Sequence, residues 1–213
     1  MKKAMAFLLA AALLLACVPA MALETKYQSP VLGSEVMMPD TLEVLAEFRS
    51  TDGMSDYIYF TIPGTDKQVI STLTYVPEFE GMQTKDVPKE EIEAWKDFFT
   101  ENYPKHSKSV MLRPNYNSSQ RIYRYYGLNA EGKWILSYTG VLDGLYVSTC
   151  CEADKFGYQR NEMQAIFEAF NVSFQLFAKS RGVDFVRYSA DDFEVEIFNL
   201  LYDASPDSIF NSY

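Results

Sequence analysis

Residues 121–151 read RIYRYYGLNAEGKWILSYTGVLDGLYVSTCC, and the fold follows from how this stretch is punctuated. Residues 121–128 and 134–141 are runs of strand length, rich in β-branched and aromatic side chains, and Asn129 to Gly132 separates them with turn chemistry. Asp143-Gly144 then supplies the residues that a tight hairpin turn with positive φ demands, and residues 145–151 complete a meander. Large side chains occupy both faces of these strands: Tyr123 and Tyr125 against Ile122 and Tyr126, and Ile135 against Trp134, Leu136 and Tyr138. A sheet with one wet face would alternate apolar with polar residues, so helices are expected over both sides.

Outward from the meander, residues 109–112 read as one more strand on its N-terminal side. Further upstream, residues 57–62 alternate with Ile58, Phe60 and Ile62 on one face and Tyr57, Tyr59 and Thr61 on the other. Pro63 to Asp66 is a turn, and the β-branched run at 69–76 returns as the second arm of a hairpin. Residues 34–38 read as a first strand and 42–48 as a short apolar stretch. Pro88 suits the first position of a helix, Glu90 and Glu91 complement its positive end, and Ile92, Trp95 and Phe99 form a stripe that continues to about Tyr103.

On the C-terminal side, Met163, Ile166, Phe167, Phe170, Phe174 and Phe177 fall on one helical stripe. Lys179 and Arg181 occupy its last turn and Gly182 supplies the stop. Residues 183–188 read as a short strand, and Ser189 with Asp192 forms a capping-box-like pair ahead of a helix from Ala190 to about Tyr202. In that last helix Phe193, Ile197, Leu200 and Leu201 make one stripe and Val195, Phe198 and Tyr202 another. The second stripe is expected to pack on the preceding helix or on a second copy of the chain. The expected class is therefore α+β: an antiparallel meander with helices on both faces, an α/β/α sandwich with a C-terminal helical extension from about residue 182.

This element order, with the Asp143-Gly144-Leu145-Tyr146-Val147 turn and strand and a helix closing on Phe170-Asn171-Val172-Ser173-Phe174, resembles the Mog1/PsbP-like fold over roughly residues 34–177. The resemblance implies a sheet with helices on both sides, often in exported bacterial proteins. Named members of the group serve as a photosystem II subunit and as a partner of a small GTPase. No motif in this chain carries either role across.

The N-terminus reads as a signal peptide spanning residues 1–22. Lys2 and Lys3 form a positive start, residues 4–17 are an apolar run shorter than the roughly 20 residues a bilayer span needs, and Ala20-Met21-Ala22 is a peptidase site. The expected mature protein is one globular domain from Leu23 to Tyr213, released outside the cytoplasm. The alternative is a lipoprotein anchored at Cys17, which Leu14-Leu15-Ala16-Cys17 would permit. No later segment is apolar enough to span a membrane.

Removal of Lys2 and Lys3 from 19 basic residues, set against 29 acidic ones, puts the mature charge near −12. That sign repels phosphate backbones and anionic membrane surfaces, and the cations are scattered, so nucleic acid is not an expected partner. Cys150 and Cys151 are the only thiols after the leader. Adjacent cysteines cannot staple distant parts of a fold, so the core rests on 15 Tyr, 15 Phe and two Trp.

Chemistry-bearing patterns are sparse. His106 is the single histidine and reads as a solvated loop residue among Lys105, Ser107 and Lys108, with no nucleophile motif to join it. Metal ligands, phosphate loops and cofactor motifs are missing, so no catalytic, metal or cofactor site is expected. Asp191, Asp192, Glu194 and Glu196 are the densest acidic group and read as charges at the opening of the last helix. Asn117-Ser118-Ser119 and Asn171-Val172-Ser173 match a glycosylation sequon by chance.

Tyr123, Tyr125 and Tyr126 are the candidate binding residues, a platform for carbohydrate or peptide if exposed and core if a helix covers them. The sequence thus points to an exported, non-catalytic binding or accessory module of the bacterial envelope or extracellular space. Its partner would be a protein, peptide or carbohydrate, with the C-terminal helix as the candidate surface for a homodimer. A carboxylate-dependent, glycosidase-like hydrolase is the alternative, which would need a cleft holding two carboxyl groups roughly 5–10 Å apart.

Overall fold

The computed structural model describes residues 24–112 and 120–188. Its strands are β1 (Glu24–Gln28), β2 (Glu35–Pro39), β3 (Glu43–Arg49), β4 (Ser55–Thr61), β5 (Gln68–Tyr75), β6 (Lys105–Leu112), β7 (Ile122–Leu128), β8 (Trp134–Leu142) and β9 (Leu145–Ala153), with helices α1 (Lys89–Asn102) and α2 (Arg160–Arg181). β1 and β2 form a separate antiparallel ribbon, and the other seven strands make one antiparallel sheet in the order β3-β4-β5-β9-β8-β7-β6. The class is mixed α+β. The upstream hairpin and the downstream meander fuse where β5 pairs with β9, Ile70 lying opposite Cys150.

The meander holds because its turn is clamped. Asp143 and Gly144 both take positive φ, 49° and 79°, which the Asp-Gly pair tolerates. The loop after β5 then grips the turn: Asp143 N–H donates to Met82 O at 2.8 Å, Gly144 N–H to Phe79 O at 2.9 Å, and Val76 N–H to Gly144 O at 2.8 Å.

Side chains that alternate along the strands enter separate clusters. Ile58, Phe60, Val69, Leu73, Leu136, Tyr138, Val147 and Cys151 pack with Met163, Ile166, Phe167, Phe170 and Phe174 of α2. Tyr123, Tyr125 and Ile135 pack instead with Phe99 and Tyr103, at the end of α1. Each buried large side chain contributes roughly 1.5–3 kcal/mol, so the larger cluster dominates stability. At the start of α2 Gln159 and Glu162 form a capping box. Its end is closed by Gly182, at φ 69°, whose N–H reaches Ala178 O and Lys179 O.

Four local expectations need correction. Pro88 is the N-cap of α1 rather than its first helical residue. Residues 183–188 form no strand: Asn171 on α2 bonds both backbone groups of Tyr188, and Phe185 and Tyr188 pack their rings on α2 instead. His106 lies inside β6, which begins four residues earlier than its apolar part, with a bulge between Lys105 and Lys108. Finally, polar Glu24–Gln28 pairs with β2, a strand that its composition does not announce. The leader, residues 113–119, the Ser189–Asp192 cap and the helix expected from Ala190 all lie outside the described residues. Among the described residues no helix is long and apolar enough to cross a membrane.

Candidate functional site

Tyr123, Tyr125 and Tyr126 are 3%, 0% and 4% exposed. Tyr125 stacks on Phe99 at 4.9 Å between centroids and donates its hydroxyl to Tyr103 O at 2.8 Å. Tyr126 stacks on Trp134, also at 4.9 Å. Tyr123 and Tyr125 thus pack against the end of α1, Tyr126 lies in the α2 cluster, and none of the three offers a free face.

Among the described residues no helix covers the same sheet face elsewhere. On β3, β4 and β5 the side chains opposite the α2 cluster are Phe48, Tyr57, Tyr59, Ile70, Thr72 and Thr74. They are half-buried except Phe48, which is 45% exposed. Register places Phe48 opposite Tyr57, Tyr57 opposite Thr72, and Tyr59 opposite Ile70. The Phe48 ring stacks on Tyr57 at 5.1 Å and on Tyr59 at 5.5 Å, both 26° from parallel. Three rings therefore stand together at the edge of the sheet, set by an i, i+2 pair on β4 and its cross-strand neighbour on β3.

Ile70 connects this platform to a groove of about 990 Å³ that runs beside α1. Ile70, Ile135 and Cys150 lie on its sheet side, Phe98, Phe99 and Asn102 on its helix side, and Asp66, Lys67, Lys133 and Glu152 among its charged residues. Phe98 is 66% exposed at the lip. Burial pushes the Cys150 thiol up to about 11, so at neutral pH it is protonated and a poor nucleophile. Cys151 points into the α2 cluster, where burial pushes it up to about 12. Both cysteines are free thiols.

The groove carboxylates stand in water. Asp66 has a 91% exposed side chain 3.8 Å from Lys67, and the half-exposed Glu152 lies 3.8 Å from Lys133. Neither is enclosed by apolar side chains. Lys67 turns inward, 3.0 Å from the buried Glu162. His106 sits 6.0 Å from the Trp134 ring with φ 50°. Asn171 of the second sequon is fully buried, bonded to Tyr188. Asp191, Asp192, Glu194, Glu196 and Asn117 lie outside the described residues. Among the described residues no group of three or more His, Cys, Asp or Glu could hold a metal ion.

The platform escaped sequence reasoning although its signal was visible. The alternation of Tyr57, Tyr59 and Thr61 marks a face, but nothing in the alternation says that an aromatic ring of another strand stands beside it. Only the register of β3, which brings Phe48 beside it, shows the three rings together.

No family model matches this chain, and no curated protein matches it. Among solved structures, the solution structure of a cyanobacterial PsbP (CyanoP) from Synechocystis sp. PCC 6803 is similar over 74% of this chain and 93% of that one, at 10% identity and a TM-score of 0.43. It is of the PsbP-like group that the sequence resembles, and no residue role follows from the likeness.

Proposed function

We propose that this chain is an exported, non-catalytic binding or accessory module that engages its partner through the open part of the sheet at Phe48, Tyr57 and Tyr59. The observation that carries the reading is the stacking of a 45% exposed Phe48 on two half-buried tyrosines, on a face that α1 covers only over the meander. Cross-strand ring pairs stabilise a sheet by only about 0.2–1 kcal/mol, and three rings at an exposed edge also form the apolar surface that a partner would cover.

In this reading the chain from Leu23 is one domain with α1 and α2 on opposite sheet faces. The separate clusters fed by alternate residues of β7, β8 and β9 support that arrangement. Export rests on Lys2, Lys3, the apolar run and Ala20-Met21-Ala22. The hydrolase alternative gains nothing from a groove whose carboxylates are exposed, Asp66 and Glu152 each beside a lysine.

A photo-crosslinking residue in place of Phe48, with a second variant carrying it at exposed Glu101 on α1, tests the reading in the native host. A discrete adduct from position 48 that position 101 does not give is the expected result. Equal labelling from the two positions, or none from either, would overturn it.

A further inference from the structure

The stretch of the open face from Phe48 to Thr72 holds no acidic or basic side chain, the charges of the same face standing at its ends, at Glu43 opposite Thr61 and in the groove beyond Ile70. Its rows alternate rings and hydroxyls: Phe48, Tyr57 and Thr72 follow one another across β3, β4 and β5, and Ser148 stands next in the row on β9. In the adjacent row Thr74 lies opposite Ser55, their hydroxyls 2.8 Å apart.

We infer that this face binds a neutral oligosaccharide, with one sugar ring against Phe48 and the chain laid across the strands toward Thr72. The inference rests on the reading of this face as the contact surface. An exposed ring presents its electron-rich face to the polarised C–H groups of a sugar. Hydroxyl side chains both donate and accept, which matches the hydroxyls of a saccharide, and the uncharged stretch from Phe48 to Thr72 neither rewards an ionic ligand nor requires an ion to be desolvated.

Two polypeptide modes fit less well. Strand addition needs a regular edge, and β3 is bulged between Val44 and Ala46. A docking helix needs an apolar groove for its stripe, whereas Thr72, Thr74 and Ser148 place hydroxyls where that stripe would lie.

NMR titration of the full mature chain with cello-, malto- and chito-oligosaccharides of three to six sugars tests this directly. At least one series should shift the amides of residues 48, 57–61 and 70–74. Phe48→Ala, with an otherwise well-dispersed spectrum, should weaken that binding by about tenfold or more, ~1.4 kcal/mol. Phe156→Ala, which removes an 82% exposed ring elsewhere, should leave it unchanged. No shifts from any series at millimolar concentration, shifts centred away from these strands, or unaltered affinity in Phe48→Ala would overturn the inference. A protein adduct at position 48 without saccharide binding would sink the saccharide and leave the binding-module reading standing. Failure of both experiments would remove both.

Discussion

The ring of Phe170 fills the space that a side chain on residue 140 would need. A Cβ added to Gly140 would stand 2.9 Å from Phe170 Cζ and 3.7 Å from Ile122 Cγ2. Because Phe170 is fully buried at the centre of the α2 stripe, the ring cannot swing away without disturbing its neighbours. Gly140→Ala should therefore lower stability by about 1–3 kcal/mol, read as a drop in urea midpoint with unchanged slope. A variant as stable as the parent would show that α2 does not sit this tightly on β8.

A second relationship binds α2 at its start. Lys67 Nζ lies 3.0 Å from Glu162 Oε1, with side chains 14% and 5% exposed, and Glu162 also accepts the Gln159 N–H at 2.7 Å. Lys67→Met leaves a buried carboxylate uncompensated and should destabilise by about 3 kcal/mol. Adding Glu162→Gln to that variant should recover part of the loss, because the amide keeps the cap without the charge. Chemical denaturation of the two single variants and the double variant measures the coupling, and simple additivity would contradict it.

The cysteines give a pH signature. Both thiols hold their protons more tightly folded than unfolded, from an ordinary 9.0 to about 11 for Cys150 and about 12 for Cys151. Their contribution is thus full below pH 9 and is lost as pH rises through these values. The denaturation midpoint should fall between about pH 9 and pH 11, and Cys150→Ala should fall less steeply. A parallel pair of curves would contradict the burial of this thiol.

Neighbouring side chains on β9 point to opposite faces, so Cys150 meets the α1 cluster and Cys151 the α2 cluster. Alkylation of denatured, unreduced protein should add two labels, and in the native protein Cys150 should react before fully buried Cys151. A monomer that takes no label would reveal a vicinal disulfide.

Much of the sheet was legible because its signals are local. Asp143-Gly144 dictates a positive-φ turn, the alternation of Ile58 and Phe60 marks a buried face, and the Met163 to Phe177 stripe marks α2. What stayed hidden depends on distant partners. Glu24–Gln28 is polar and becomes a strand only by pairing with β2, and residues 183–188 have strand composition yet are held by Asn171 and two rings on α2. The aromatic platform failed to show for the same reason: Tyr57 and Tyr59 alternate visibly along β4, but only the register brings Phe48 of β3 beside them.

The role of the open face is tested most directly by combining Phe48→Ser with a photo-crosslinking residue at position 72. Phe48 is at the surface, so its loss should move the melting temperature by no more than about 4 °C. The partner adduct that position 72 gives in the parent background should disappear in the Phe48→Ser background. An undiminished adduct, or one that vanishes only because the protein has melted, would contradict the assignment of this face as the contact surface.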